Sequence, residues 1–389
     1  MNFLTKNPGY LKRGNANLAD KLNTSVEEVQ MARLWIKNNI EETIENINDN
    51  TSTIKEFDSF LKSNGIKEED VKSVKFWQTH SGDNRYSVVT KNDSNALPTI
   101  EEVISILTNT QESFVIPKVE AISENILVVF VSDKHIGALT KKDAIYDNAY
   151  DATEFNWRLQ GVLKEIGEVY SKEGTLTKIV VVDLGDAMDG YNGETTRGGH
   201  KLPQNMSNKE AFEVFVNSHK SFYNALFNSG YAEDYEVYHI TNSNHGGEFE
   251  HFATRCLQEY LKASYKGVKF DIFEKFITPI VIGEHTYMLS HGKDTEDMKN
   301  GLPLTLDAKT EQYIINYMLY HKLQSDNLHF IKGDLHQAST QWGKHFRYRN
   351  VPSIYGSSKW IMTNFGYNKP GCSFDLIKGS DIKQWEVWF

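Results

Sequence analysis

The sequence has too few cysteines for a disulfide framework. Only Cys256 and Cys372 occur in 389 residues, and a reducing cytosol is the simplest compartment for such a chain. A long apolar run is also missing: nothing approaches the roughly eighteen residues of a membrane span, so we expect no membrane partner. The first residues, MNFLTKNPGYLKRG, have no continuous apolar stretch, and we expect no secretory signal. The expected location is the cytoplasm, or the host cytoplasm if a phage encodes the protein.

An excess of positive charge is missing as well. The formal net charge is −10, from 42 Lys and Arg against 52 Asp and Glu. This balance does not suit a protein that wraps nucleic acid mainly by neutralising phosphates. It leaves open an enzyme that acts on nucleic acid, because bound divalent cations invert the field locally.

Helical patterning dominates the first part of the chain. Ser25 and Glu28 form a capping box, which predicts the start of a second helix directly after a short polar break. Two helices joined by so tight a turn are typical of a helix-turn-helix unit, and residues 1–40 hold six basic and three acidic side chains. We predict a small helical domain over 1–68, with DNA binding and simple packing as the two alternatives.

Two β-rich runs follow in VKSVKFWQTHSGDNRYSVVTK. They surround a Ser-Gly-Asp-Asn turn and predict a hairpin. This hairpin and a connector with a short helix are expected to fill residues 69–120.

From about residue 121 the pattern alternates between strand and helix. NILVVFV and KIVVVDL are apolar runs typical of strands buried on both faces, and YEVYHIT and LHFIKG are weaker strands. ITPIVIGEHTYMLSH predicts a hairpin, and the C-terminal part is strand-like. The predicted helices cover 153–171, 208–228 (opened by a capping box of Ser207 and Glu210), 249–265 and 306–324. We predict an α/β fold over 121–389, a layered β-sandwich flanked by helices.

Polar side chains follow five of these strands directly. Taken singly, each piece is ordinary, since an Asp-x-His is commonly a capped loop. Ligands in α/β folds collect outside the carboxyl ends of strands, so five such pieces in order favour one shared site. The side chains concerned are Asp133, His135, Asp186, Asn244, His291, Asp334 and His336.

The ordered motifs resemble those of the calcineurin-like metallophosphoesterases. SDKH, GDAMD, SNH, a lone His291 and GDLH stand where that family has Asp-x-His, Gly-Asp-x-x-Asp, Gly-Asn-His-acid, His and Gly-His-x-His. VSDKHIGA is also similar to the first motif of SbcD-type DNA repair nucleases. The N-terminal segment and TTRGGHKLPQN are similar to uncharacterised phage-type members. The resemblance covers about 125–340 and the β-rich tail, and it implies the metallophosphoesterase fold for the C-terminal domain.

The chain departs from the family pattern in two motifs. The third motif lacks its leading glycine and its trailing acid, although Glu248 lies close by. The fifth motif carries Asp334 where the family has histidine. A carboxylate can still bind a divalent cation at this position.

The resemblance implies two divalent cations and a hydroxide between them that attacks phosphorus. Asp186 would bridge the cations, and Asp189 would orient a neighbouring ligand. His245 would be the catalytic residue that protonates the leaving oxygen. Oxygen-rich ligation favours manganese, with magnesium, iron and zinc as alternatives. The implied ligands are Asp133, His135 and His336 for the first cation, and Asn244, His291 and Asp334 for the second.

Three basic residues near the motifs are candidates for holding substrate. Arg197 and His200 lie in a long glycine-rich loop after the second motif, and Lys293 follows His291. Each could clamp a phosphate, and a solvated surface position is the alternative for each.

Three functions remain open. The first is a two-metal phosphodiesterase acting on nucleic acid, that is, a DNA nuclease, favoured by SDKHIG and by the possible helix-turn-helix domain. The second is a phosphomonoesterase, a protein or small-molecule phosphatase, on the same metal site. The third is a metal-free binding module, which the intact set of ligands disfavours.

Overall fold

The structure is a computed structural model. It describes residues 97–108, 116–141, 148–294 and 301–389, the two strands of an N-terminal hairpin and a few single positions before them. The chain divides into two compact units, Met1–Asn92 and Asp93–Phe389. The helical domain predicted over 1–68, apart from those single positions, lies outside the described residues. The division into three predicted domains stays a prediction.

The first unit contains the predicted hairpin. Its strands are β1 (Val71–Gln78) and β2 (Asn84–Thr90), and they pair antiparallel with Phe76 opposite Tyr86. The hairpin prediction is therefore confirmed.

The second unit alternates strands and helices along the chain. Its strands are β3 (Ile126–Val131), β4 (Leu176–Asp183), β5 (Ala232–Ile240), β6 (Lys269–Phe273), β7 (Thr278–Ile282), β8 (His285–Ser290), β9 (Leu328–Lys332), β10 (Ser339–Trp342), β11 (Arg347–Asn350), β12 (Gly371–Lys378) and β13 (Asp381–Trp388). Its helices are α1 (Ile100–Thr108), α2 (Ala152–Glu173), α3 (Asn208–Phe227), α4 (Gly247–Ser264), α5 (Ala308–Tyr320) and α6 (Lys359–Phe365). The four predicted helices are confirmed as α2 to α5, with small differences at their ends.

The strands form two sheets. The six-stranded sheet has the order β13-β12-β3-β4-β5-β6, in which β3 to β6 are parallel and β12 is antiparallel to β3. The five-stranded sheet has the order β10-β11-β9-β8-β7, in which β8, β9 and β11 are parallel and the edge strands are antiparallel. The parallel strands of each sheet end together, which places their carboxyl ends on a common edge.

Alternate residues of the central strands enter different layers. Leu127 and Val129 face the helices, whereas Val128 and Phe130 face the other sheet. Each fully buried side chain of this kind stabilises the fold by roughly 1.5–3 kcal/mol. Burial on both faces explains why the NILVVFV run is continuously apolar.

Helices cover the outer faces of the two sheets. The core against the six-stranded sheet contains apolar residues of α2, α3 and α4, and α5 packs on the five-stranded sheet. The capping box of Ser207 and Glu210 opens α3 as predicted. The predicted fold class, a layered β-sandwich flanked by helices, is confirmed. None of the helices in the described ranges combines the length and the hydropathy that a membrane crossing requires.

Candidate metal centre

Left-handed backbone conformations mark the strand ends. Non-glycine residues enter this region rarely and at a cost of order 1–3 kcal/mol each. Asn192 and Lys322 are the other two non-glycine examples in the described part of the chain. The surrounding structure therefore holds these ends in an unusual conformation that directs several polar side chains to one rim. The predicted ligands with positive φ are Asp133, His135, Asp186, Asp334 and His336, between 45° and 69°.

Glycine at position 333 lets two strand ends approach closely. A Cβ atom there would collide with the side chains of Ser132 and Asp133. The next residue, Asp334, donates its backbone N–H to Asp133 Oδ2 at 3.2 Å. The end of β9 is thereby joined to the end of β3, although the two lie about two hundred residues apart in the chain.

Asp133, His135 and His336 form the first group of donors. The Nε2 atoms of the two histidines lie 3.2 Å apart, and Asp133 Oδ1 lies 3.4 Å from His336 Nε2 and 3.9 Å from His135 Nε2. Ligands that share one cation at about 2.0–2.2 Å are separated by roughly 3–4 Å, depending on the angle between them. All three side chains are buried. This spacing matches a common cation.

The hydrogen bonds of the first group to its surroundings use the Nδ1 atoms of the two histidines and leave their Nε2 atoms facing each other. His336 Nδ1 donates to Gly356 O at 2.6 Å, and His135 Nδ1 lies 3.0 Å from Asp189 Oδ1. With both Nδ1 atoms protonated, two Nε2 lone pairs face each other. Asp133 Oδ1 is buried and has no hydrogen-bond partner. Lone pairs and an orphaned carboxylate oxygen in one pocket fit a divalent cation.

A second group joins Asp186, His291 and Asn244. His291 Nε2 lies 3.1 Å from Asp186 Oδ2 and 3.2 Å from Asn244 Oδ1, and its Nδ1 donates to Leu184 O at 2.9 Å. Donor atoms of Asp133, Asp186 and His291 lie within 4.8 Å of one another. Asp133 thus belongs to both groups. The bridging role that the resemblance implies for Asp186 stays a prediction.

Asp189 connects the first group to His245. Its Oδ1 lies 3.0 Å from His135 Nδ1 and 3.6 Å from His245 Nδ1. His245 Nδ1 also donates to the backbone oxygen of Asp189 at 3.1 Å, and His245 N–H donates to Asp186 Oδ1 at 2.9 Å. His245 lies beside both donor groups, and the orienting role of Asp189 stays a prediction.

Asp334 is placed differently from the other predicted ligands. Within the described residues, no cluster of three His or acidic donors includes its side chain. Its Oδ2 lies 3.4 Å from the position that a Cβ of Gly301 would take. The side chain therefore lies close to Gly301, and its role as a ligand of the second cation stays a prediction.

Opposite charges govern ionisation in the cation-free centre. Burial raises the pKa of Asp133, but the charges of His336 and His291 outweigh it and lower the pKa to about 2. Burial lowers the pKa of His291, but Asp186 outweighs it and raises the pKa to about 10. The pKa of His245 is raised to about 9 by Asp186 and Asp189 against its burial. Asp133 therefore stays ionised, as a cation ligand must be.

The glycine-rich loop after the second motif binds the backbone of the centre. Thr196 N–H donates to His245 O at 3.1 Å, and Arg197 N–H donates to Asn244 O at 3.0 Å. The Arg197 guanidinium is occupied, since its Nη1 donates to the backbone and side-chain oxygens of Asp294 at 2.6 and 2.8 Å. His200 is exposed and Lys293 is half-buried. Substrate binding by these three basic residues stays a prediction.

Glu250 is a buried residue of the centre that the sequence did not identify. Glu248, the acid considered in its place, is exposed. Glu250 lies beneath the Asn244 loop and accepts from Ser243 Oγ at 3.1 Å. Burial and the charge of Asp186 raise its pKa to about 7. The available sequence signal was the position of Glu250 four residues after Gly246, which places the two residues on the same face of a helix.

A second buried network lies on the helix side of the first motif. Lys134 pairs with Asp183, and its Nζ lies 3.0 Å from His219 Nε2. His239 Nε2 lies 3.1 Å from Asp183 Oδ2. Burial lowers the pKa of Lys134 to about 7. The middle residue of Asp-x-His is therefore part of a polar support and faces away from the donor groups.

No protein family model matches the chain, and no curated protein matches it. Solved structures do match. An archaeal phosphodiesterase is 13% identical, covers 67% of this chain and 99% of its own, and has a TM-score of 0.33. Wild-type Vps29 from Entamoeba histolytica in complex with zinc is 13% identical over 67% and 98% of the two chains, with a TM-score of 0.30. A predicted phosphoesterase from Streptococcus pneumoniae is 12% identical over 68% and 90%, with a TM-score of 0.28.

Overlaps with such low TM-scores carry no argument about this chain. The likeness of this chain to calcineurin-like metallophosphoesterases rests on features of the chain itself. These are the five strand-end motifs in order, two packed sheets flanked by helices, and donor groups at one rim.

Proposed function

We propose that the protein is a two-metal-dependent phosphodiesterase. The observation that carries the proposal is the pair of donor groups that meet at Asp133, with imidazole Nε2 atoms and carboxylate oxygens at ligand spacing. Asp133, His135 and His336 would hold one cation, and Asp186, Asn244 and His291 the other, with Asp334 beside the second. Mixed nitrogen and anionic oxygen donors suit manganese.

The bound cations would supply Lewis-acid polarisation of the phosphate and a water of lowered pKa. The chain's own residues have separate tasks. Asp189 fixes the ring of His135, and the anchored Nδ1 of His245 leaves Nε2 to donate a proton to the leaving oxygen. No protein nucleophile is required, and both cysteines are free and outside the motifs. Free cysteines also suit the reducing cytoplasm that we propose as its location.

A diester is favoured over a monoester by the surroundings of the centre. A monoester dianion carries one more negative charge than a diester and needs additional cationic groups. Arg197, the guanidinium candidate in the glycine-rich loop, is paired with Asp294, and Asp334 adds a further carboxylate. The SDKHIG motif makes DNA the substrate that we propose, with divalent cations offsetting the negative net charge.

One assay tests these statements together. The metal-free protein would receive MnCl₂ and then single-stranded DNA, duplex DNA, a chromogenic diester and a chromogenic monoester side by side. We expect DNA and diester hydrolysis that a chelator abolishes. Hydrolysis of the monoester alone would replace the proposal with a phosphatase, and no manganese-dependent hydrolysis of any substrate would overturn it.

A further inference from the structure

The segment 353–357, which follows β11, makes hydrogen bonds to two members of the first donor group. Ser353 Oγ donates to Asp133 O at 2.8 Å, and Tyr355 N–H donates to the same oxygen at 3.1 Å. Gly356 O accepts from His336 Nδ1 at 2.6 Å. One short segment thus contacts the backbone of one predicted ligand and fixes the ring of another.

Arg158 on α2 anchors this segment. Its side chain is 3% exposed, and its Nη1 donates to Ile354 O at 2.7 Å and to Tyr355 O at 2.8 Å. Its Nη2 donates to Asn148 Oδ1 at 3.1 Å and to Ala149 O at 3.3 Å. Nε donates to Glu154 Oε1 at 2.8 Å. All five N–H donors of the guanidinium therefore have an acceptor.

Asn148 reinforces the same anchor. Its Nδ2 donates to Tyr355 O at 3.3 Å and to Ser357 O at 2.7 Å. The carbonyl groups on both sides of Gly356 are therefore held, and Gly356 itself has a φ of +80°. A lysine in place of Arg158 cannot reproduce this arrangement, because an ammonium is a point charge without the planar fork.

We propose that Arg158 is a positioning residue for the first cation. It holds the carbonyls of Ile354 and Tyr355 and thereby places the next carbonyl, that of Gly356, which keeps His336 in the tautomer with a proton on Nδ1 and with Nε2 directed at Asp133 and His135. Apart from the shared Asp133, the second donor group makes none of these contacts among the described residues, so the effect should fall mainly on one cation. This inference rests on the proposed metal centre and adds a residue far from the motifs.

The test compares Arg158→Lys and Arg158→Gln with Arg255→Lys, an exposed arginine on α4. MnCl₂ is titrated calorimetrically into the metal-free full-length chain. We expect one of two dissociation constants to rise roughly tenfold to hundredfold in the Arg158 variants, which is typical of residues that orient a ligand. The other constant should change much less, and Arg255→Lys should match the wild type.

A second readout does not depend on bound metal. Imidazole nitrogen shifts of the metal-free protein, followed upward in pH until the ring of His336 is neutral and assigned with His336→Gln, should show the Nδ1–H tautomer of His336 in the wild type and a mixture in Arg158→Lys. Asn148→Ala should move both readouts less, and it replaces any Arg158 variant that fails to fold by circular dichroism. Wild-type constants together with an unchanged His336 tautomer would overturn the role of Arg158, as would equal weakening of both cations. A wild-type chain that binds no manganese would instead overturn the proposed function, and the tautomer would still decide the role of Arg158.

Discussion

Two buried histidine clusters share strands β8 and β9, and of these two only one has the geometry of a metal centre. The inter-sheet cluster consists of His285, Tyr287, His329, Arg349 and Asp375. In it, His285 Nδ1 lies 3.0 Å from His329 Nε2, the rings of Tyr287 and His329 are stacked at 4.8 Å, and Arg349 pairs with Asp375. At the rim, by contrast, ring nitrogens face a common point.

The comparison shows that residue types do not by themselves make a cation site. In the metal centre each histidine donates Nδ1–H to an oxygen and presents Nε2 to the other donors. In the inter-sheet cluster one nitrogen of each imidazole faces the other ring, and over the described residues the cluster holds no three close His or acidic donors. The backbone differs too, since the inter-sheet cluster lies within regular strands, where φ is negative.

The largest expected effect comes from replacing one carboxylate in each of the two clusters. Asp133→Asn should lower manganese-dependent hydrolysis by about a thousandfold or more, because Asp133 belongs to both donor groups. Asp375→Asn should keep manganese binding but destabilise the fold by about 3–5 kcal/mol, because Arg349 loses its buried partner. Calorimetric titration and urea unfolding measure the two results. Loss of manganese binding in folded Asp375→Asn would contradict the comparison.

A smaller effect is expected from His245→Gln. The variant should bind two manganese ions and lose about a hundredfold in turnover, because His245 is proposed to protonate the leaving oxygen without binding a cation. The loss should shrink on a diester whose leaving group has a low pKa and needs no protonation. His321→Gln, at an exposed helix end, is the matched control. Release of a metal ion by His245→Gln would show that this ring is a ligand.

Asp334→Asn should weaken the binding of one manganese ion by about tenfold and leave the binding of the other unchanged. The reason is the charge of Asp334 near His291. No cluster of three donors among the described residues includes the Asp334 side chain. Asp334→His should shift preference toward zinc, since imidazole is a softer ligand. Competition titrations with both metals give the measurement. If Asp334→Asn binds both ions as tightly as the wild type, the carboxylate takes no part in cation binding.

The smallest expected effect concerns the inter-sheet cluster and pH. Burial and the charges of His285 and Arg347 lower the pKa of His329 to about 4, while Asp375 opposes them. Between an unfolded pKa near 6.5 and this value, the unfolded chain binds a proton that the folded chain does not. Stability is therefore full above pH 6.5 and falls by roughly 1 kcal/mol per pH unit as pH decreases toward 4.

His329→Phe should flatten this acid dependence while keeping a ring against Tyr287. Urea unfolding at several pH values provides the measurement, with His345→Gln at an exposed position as the control. An equal pH slope in His329→Phe and in the wild type would assign the acid dependence to other groups.

Much of the fold follows from local patterns. The NILVVFV run is apolar at every position because β3 is buried on both faces, and this is visible without tertiary information. Ser207 and Glu210 lie three residues apart, so the start of α3 was equally readable. The burial of Glu250 was not readable, because nothing local distinguishes it from Glu248, an exposed first-turn residue one half-turn earlier.

The sequence by itself determined which polar residues follow the strands, because strand periodicity and motif spacing are local. Tertiary structure alone decided which of them meet. His135 and His336 are 201 residues apart, yet their Nε2 atoms lie 3.2 Å from each other. Four further features could not be predicted from the sequence. They are the sharing of Asp133 by both groups, the separate position of Asp334, the contacts of Arg158, and the pairing of His285 with His329. Each depends on the approach of distant strands and on hydrogen-bond direction, which no pattern within one segment encodes.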